Sequence, residues 1–209
     1  MDAQEWNRRH AAGEHHFGGA PNRFLVAEAG ALAPGAALDL ACGSGRNAVW
    51  LAERGWRVTA VDFSDVALAA GRRLAGERGV DVEWVLADVL EWRPPERAFD
   101  LVCLVYLQLP PDERRRVLAG AAGAVAPGGA LLVVAHHADN LEHGWGGPKD
   151  AEVLATEREL AAELPGLEVE RAERVLRDVE DAPRPAIDLL VRAGRSPQPG
   201  PEQATRTSA

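Results

Sequence analysis

Between residues 35 and 193 the chain alternates short runs of Val, Leu and Ala with longer stretches rich in Ala, Arg and Glu. Short apolar runs bounded by turn residues read as strands. Segments with apolar positions three or four apart read as helices. Strands are expected over 37–41, 57–61, 82–86, 101–105 and 130–135. The last of these is apolar throughout, as a strand covered on both faces would be. Leu167, Val169 and Arg171 then alternate with Glu168 and Glu170, the pattern of a half-exposed strand, and 187–191 forms the final one. Helices are expected over 47–54, with Gly55 as its stop, from the capping residue Ser64 to Arg78, over 112–124, and over 151–164. Pro127, Gly128 and Gly129 make the turn into the fifth strand. Repeated βα units of this kind predict an α/β fold with a doubly wound, mostly parallel seven-stranded sheet. The last two strands have no helix between them, which predicts a C-terminal antiparallel hairpin.

The flanking segments differ from this core. Residues 1–34 place Trp6, His10, His15, His16 and Phe17 among Gly13, Gly18 and Gly19, with no period long enough to pack alone. They are expected to form a lid on the domain spanning 35–193. Residues 194–209 are rich in Gly, Pro, Ser, Thr and Gln and are expected to be a disordered tail. The formal charge of -9 argues against a general nucleic-acid binder and against an anionic membrane surface. Cys42 and Cys103 fall on or beside buried strands and read as core residues of a reducing compartment. With a polar amino terminus and no apolar span, they predict a cytoplasmic protein.

The chemistry concentrates in residues 37–62, which read strand, glycine turn, helix, strand, acid. Gly43 and Gly45 let the backbone bend sharply and let a ligand lie against it. The helix that follows offers free N–H groups at its start, and Asp62 at the end of the second strand is placed to accept from a ribose diol. A dinucleotide site has a third glycine three residues after the second. That position here is Ala48, which argues against a nicotinamide-dependent oxidoreductase on a Rossmann-like fold.

The stretch Asp39-Leu40-Ala41-Cys42-Gly43-Ser44-Gly45 resembles the first motif of class I S-adenosylmethionine-dependent methyltransferases, with Ala41 where a glycine is usual. Val61-Asp62-Phe63-Ser64 resembles the second, Ala87-Asp88-Val89 the adenine-edge motif, and Pro127-Gly128-Gly129 the turn before the fifth strand. The resemblance covers about residues 35–193 and implies S-adenosyl-L-methionine as cofactor. It implies Asp39 near the methionine end, Asp62 on the ribose, Phe63 against adenine, and Asp88 and Val89 at the adenine edge. Asp88 also reads as a solvated turn residue, Phe63 as ordinary packing, and Asp100 as the brace of a strand start. Gly45-Arg46-Asn47, Gly55-Trp56-Arg57-Val58, Trp6-Asn7-Arg8-Arg9-His10 and Pro21-Asn22-Arg23-Phe24-Leu25 are similar to the tellurite-resistance and thiopurine methyltransferase-like branch. That likeness implies a lid with Trp6 over the cofactor, and small acceptors with a sulfur, selenium, tellurium or oxygen centre. Arg46 and Asn47 at the helix start join the cofactor candidates, Arg46 as partner of a carboxylate.

Methyl transfer requires alignment of an acceptor lone pair with the sulfonium methyl and exclusion of water, and a hydroxyl acceptor also benefits from a base. Tyr106 after the fourth strand and His136 after the fifth are the catalytic candidates, with His137 and His143 behind them. No metal site is expected, since the histidines lack ligand spacing. Leu109-Pro110-Pro111-Asp112 lacks both ends of the motif that amino-directed nucleic-acid methyltransferases carry. A protein that binds the cofactor without catalysis is the remaining alternative. The loop 139–149 is too glycine-rich for packed structure and is expected to be an acceptor-side lid.

Overall fold

The computed structural model describes residues 7–8 and 19–198. Helix α1 (Arg23–Ala29) begins where the Asn22 side chain accepts from the Phe24 and Leu25 N–H groups, and it buries Leu25 and Ala29. There follow β1 (Ala36–Leu40), α2 (Arg46–Glu53), β2 (Arg57–Asp62), α3 (Asp65–Arg78), β3 (Glu83–Leu86) and β4 (Phe99–Val105). Then come α4 (Pro111–Ala124), β5 (Val125–His136), α5 (Asn140–His143), a 3-10 turn (Ala151–Val153), α6 (Glu157–Ala162), β6 (Glu168–Arg177) and β7 (Ala186–Gly194). The Ser64 hydroxyl accepts from the Ala67 N–H to start α3, and Gly79 at φ 65° ends it.

The seven strands form one sheet in the order β3-β2-β1-β4-β5-β7-β6. The pairs from β3 to β5 are parallel, and β7 runs antiparallel between β5 and β6. This is the expected doubly wound sheet with its C-terminal hairpin. Side chains alternate between the two faces along each strand. One face, with Leu38, Val102, Leu131 and Val191, packs on Val117 and Leu118 of α4 and Leu160 of α6. The other, with Ala37, Cys103, Val134 and Leu190, packs on Leu25 of α1, Leu51 of α2 and Leu68 of α3.

Five expectations change. The helix over 151–164 is broken: Leu154 and Ala155 run extended, with Ala155 bridged to His137, and α6 starts afresh at a capping box of Thr156 and Glu159. The loop 139–149 is not loose, because buried Asn140 donates to the Gly146 carbonyl and accepts from the Ile187 N–H. Within 1–34, α1 belongs to the core, since Leu25 and Ala29 are 0% and 1% exposed; residues 9–18 lie outside the described residues. The tail starts later than 194: Gly194 closes β7, and the Arg195 guanidinium donates to the carbonyls of Val125 and Ala122. Residues 199–209 lie outside the described ones. The expected turn at Pro127-Gly128-Gly129 sits inside β5, as an irregular start with Gly128 at φ 81°.

Ala41 lies at φ 55°, a left-handed conformation. Its Cβ crowds the following carbonyl there, at a cost of about 1–2 kcal/mol. Glycine removes that strain but loses more backbone entropy on folding, about 0.5–1 kcal/mol. Ala41→Gly is therefore expected to stabilise the fold by roughly 0.5–1 kcal/mol, seen as a rise in Tm of about 1–4 °C. A fall in Tm on thermal denaturation would contradict the strain argument.

Candidate active site

Beyond β1 the chain turns through Ala41, Cys42, Gly43, Ser44 and Gly45 into α2. Gly45 caps that helix at φ 74° and has no side chain to bond its first N–H groups. A Cβ on Gly45 would overlap the Trp84 ring, which also fills the space beside Gly71. Gly45 is therefore required by packing under the turn as well as by its backbone angle.

Asp62 braces the turn. One carboxylate oxygen accepts from the Gly43 N–H at 2.8 Å and the other from the Ser64 N–H at 2.9 Å. The residue is 6% exposed, so the acid at the end of β2 holds the backbone of both motifs together. Phe63 beside it is half-buried. Asp39, one strand over, is 1% exposed. The Ala48 N–H donates to its carboxyl, while Oδ2 has no hydrogen-bond partner among the described residues. Burial, and next the charge of Asp62, push the Asp39 carboxyl up from 3.8 to about 7, against the pull of Arg46 and the Ala48 N–H.

The other cofactor candidates divide. Asn47 is buried, and its Oδ1 accepts from the Asn22 N–H at 2.9 Å, so the sequence pieces around residues 22 and 47 meet as an internal brace. Arg46 opens α2; burial lowers its pKa, while Tyr106 and Asp39 act electrostatically to raise it. Asp88 is exposed, and Oδ1 accepts from the Leu90 N–H at 2.9 Å in an Asx turn. Val89 packs against the core beside it. Trp6 lies outside the described residues. Its neighbour Asn7 donates to Asp65 at 2.8 Å and accepts from the Ser64 hydroxyl at 2.5 Å, at the start of α3. Asp100 accepts from the Ala36 N–H at 2.8 Å and braces the start of β1, as expected.

Tyr106 and His136 come together with two residues that the sequence did not single out, Asp188 and Arg177. The four sit on the adjacent strands β4, β5, β7 and β6, or one residue past the strand end in the case of Tyr106. The Tyr106 hydroxyl donates to Asp188 Oδ2 at 2.7 Å, and Arg177 Nε donates to the same oxygen at 2.7 Å. His136 Nδ1 lies 3.0 Å from Asp188 Oδ1, and the Tyr106 and His136 rings are 5.0 Å apart. Asp188 is wholly buried. Tyr106 itself is at φ 63°, an uncommon angle for a non-glycine residue. Asp188 and Arg177 carry no local motif; the pairing of β7 with β5, which opposes His136 to Asp188, and of β6 with β7 brings them here. His137 is committed elsewhere: Nδ1 accepts from the Asp139 N–H at 3.0 Å and Nε2 lies 3.0 Å from Glu157. His143 is exposed beside Glu142. On the other face, a small apolar crevice of about 20 Å³ between α4 and the sheet is lined by Leu104, Leu107 and Leu109 and reaches His136.

Residues 37–129 match the methyltransferase-domain family, a span that opens on β1 and contains the glycine turn, Asp39 and Asp62. That stretch, somewhat under half of the chain, is similar to methyltransferase domains. Among curated proteins, the chain is 38% identical over 104 residues to a demethylmenaquinone methyltransferase of Thermus thermophilus, covering 49% of this chain and 47% of that protein. It is 32% identical over 112 residues to the ribosomal RNA small subunit methyltransferase C of Alcanivorax borkumensis, covering 49% and 33%. The chain thus spans less than half the length of these relatives. Among solved structures it resembles TehB from Haemophilus influenzae, with a TM-score of 0.73, 17% identity and 91% of this chain and 67% of that one covered. It also resembles the N-methyltransferase NodS from Bradyrhizobium japonicum in complex with S-adenosyl-L-homocysteine, with a TM-score of 0.70, 19% identity and coverage of 94% and 98%. Both likenesses concern the methyltransferase fold. Among the described residues, no helix of the domain is long and apolar enough to cross a membrane.

Proposed function

We propose that the chain transfers a methyl group from S-adenosylmethionine to a small acceptor bound beyond the ends of β4 and β5. The observation that carries this reading is the buried Oδ2 of Asp39 beside the glycine turn, which has no hydrogen-bond partner among the described residues. A buried carboxylate oxygen without a partner costs about 1–3 kcal/mol or more, and a cationic ligand relieves that cost. S-adenosylmethionine offers an ammonium group for Asp39 and a carboxylate for the open start of α2 and for Arg46. Asp62 at the end of β2 would accept from the ribose diol, and Phe63, Asp88 and Val89 would flank the adenine. Asn47 supports the turn from behind. The cofactor supplies an electrophilic methyl, so the protein's part is to align the acceptor and keep water out.

The acceptor side is formed by Tyr106 and His136. A sulfur, selenium, tellurium or oxygen centre fits this reading, and the charge of -9 disfavours a nucleic-acid acceptor. Free, buried Cys42 and Cys103 fit a cytoplasmic enzyme. The test pairs calorimetric titration of S-adenosylhomocysteine with turnover on a panel of thiols, phenols and oxyanions such as tellurite. Binding with turnover of one class supports the proposal. Binding without any turnover indicates a cofactor-holding protein, and NADH binding indicates an oxidoreductase.

The lid is narrowed to residues 1–18, because α1 belongs to the core. Asn7 touches Ser64 and Asp65, next to the proposed ribose site, which supports a lid role for this segment. Deleting 1–18 is expected to leave a cooperatively melting domain while turnover falls roughly 100-fold, the scale of a misplaced acceptor. A truncated protein that keeps full turnover, or one that fails to fold, would remove the lid.

A further inference from the structure

Asp188 is the centre of the four-strand cluster and the residue whose partners decide what the others can do. The Tyr106 hydroxyl and Arg177 Nε both donate to Oδ2, at 2.7 Å each. That leaves Oδ1 for His136. Asp188 Oδ1 and His136 Nδ1 are both buried and face one another at 3.0 Å as an ion pair, and neither makes a hydrogen bond of good geometry among the described residues. The pairing is satisfied only when Nδ1 carries the proton, because Asp188 can only accept. The other ring nitrogen, Nε2, is then an acceptor. It makes no hydrogen bond among the described residues and is not sealed from solvent. Burial alone raises the Asp188 carboxyl, but the bonds from His136, Arg177 and Tyr106 outweigh it and hold the group below its ordinary value. Tyr106 moves the other way: burial first, then the Asp188 charge, push its phenol well above the usual range. Tyr106 thus serves as a fixed donor, not as a base.

We propose that Asp188 is a positioning residue that presents Nε2 of His136 as the base for the acceptor, and that the acceptor is a weakly acidic hydroxyl, a phenol or an enol. This inference rests on the methyl-transfer reading above and chooses among its acceptor classes. Thiolates and tellurite are already ionised and need no base, so a built His–Asp pair serves a neutral O–H. In the step, the acceptor oxygen forms a bond to the sulfonium methyl carbon as the carbon–sulfur bond breaks, its electron pair returning to sulfur. The hydroxyl proton passes to Nε2 and then to water, and Asp188 stabilises the transient imidazolium. Arg177 and Tyr106 keep Asp188 ionised and oriented through the cycle. The groups facing His136 are Asp188 from β7, Arg177 from β6 and Tyr106 from the end of β4, with Arg46 of α2 coupled to Tyr106 and Arg177.

Two measurements decide it. Nitrogen-15 spectra of the imidazole rings of the full chain at alkaline pH, with His136→Gln to assign the signal, are expected to show His136 as the Nδ1–H tautomer. Asp188→Asn is expected to mix the tautomers, and Tyr106→Phe to leave Nδ1–H dominant. A dominant Nε2–H form in the wild type overturns the proposal, whatever the variants do. Methyl transfer is then measured on phenol, 4-nitrophenol and benzenethiol, with S-adenosylhomocysteine affinity as a control. His136→Gln should lose roughly 100- to 10,000-fold on phenol. On the two acceptors that are largely ionised at the assay pH it should lose less than about tenfold, with unchanged cofactor affinity. Equal losses on all three overturn the base assignment. Wild-type turnover of the thiol but of neither phenol overturns the hydroxyl acceptor and leaves methyl transfer standing. Cofactor binding with no turnover at all overturns methyl transfer itself.

Discussion

Asp62→Ala is expected to damage the fold and the cofactor site together. The substitution strips the Gly43 and Ser64 N–H groups of their acceptors at 2.8 and 2.9 Å. Each buried donor left unpaired costs about 1–3 kcal/mol, so the ligand-free protein should lose roughly 2–5 kcal/mol. For a domain of this size that is a fall in Tm of about 4–20 °C. Because the same bonds set the glycine turn, affinity for S-adenosylhomocysteine should fall by about 10- to 100-fold, the scale of a lost bond to a charged group. From its position at a strand end alone, Asp62 reads as a ligand contact whose removal spares stability. Its burial at 6% exposure and its two backbone partners reverse that expectation. Thermal denaturation without ligand is the deciding measurement: an unchanged Tm would show that the turn holds itself.

Asp39→Asn should change the dependence of the protein on pH. The Asp39 carboxyl is raised from 3.8 to about 7 in the folded state, first by burial and then by Asp62. Folding therefore takes up a proton between those values. The stability that the protonated form contributes is fully present below about pH 4 and is lost as pH rises through 7. The asparagine variant lacks this loss, so it should melt above the wild type at pH 8, and the difference should shrink or reverse toward pH 4. Cofactor binding should respond in the opposite direction. An ammonium group beside Oδ2 favours the ionised carboxylate, so at pH 6.5 titration of S-adenosylhomocysteine should release a proton. Calorimetry in buffers of different ionisation enthalpy reads that release directly. Asp39→Asn should abolish it and weaken binding by about 10- to 100-fold. Equal proton release in both proteins would show that the titrating group lies elsewhere.

Strands and caps were legible where the signal is local. Ser64 starts α3, the apolar run near residue 132 is a doubly covered strand, and Asp100 braces β1. What failed to show depends on contacts between distant residues. The break between the 3-10 turn and α6 arises because Ala155 bridges to His137, a pairing that outweighs the helical period on either side. The loop around Asn140 looked unstructured because its glycines dominate the composition, yet one amide side chain ties it to Ile187 and Gly146. Within the site, Gly43, Gly45, Asp39 and Asp62 could be found because a turn and two strand ends adjoin in sequence. Asp188 and Arg177 could not, since Tyr106 and Asp188 are 82 residues apart and meet only because β4 and β7 flank β5. Thr156 and Glu159 are the exception: their capping-box spacing was readable and marks the true start of α6.

The placement of β7 between β5 and β6 also governs the order in which the protein can be made. Synthesis runs from the amino terminus, and β1 through β5 can pair as each emerges. β7, the last strand, is buried along almost its whole length and is flanked on both sides. Until it leaves the ribosome, a nascent chain has a complete glycine turn but presents the long apolar β5 as an open edge. Such an edge invites pairing with other chains. Asp188 arrives with β7, so the strand that closes the edge also brings the acid to His136. A chain halted before residue 186 would expose the β5 edge and lack the acid that faces His136.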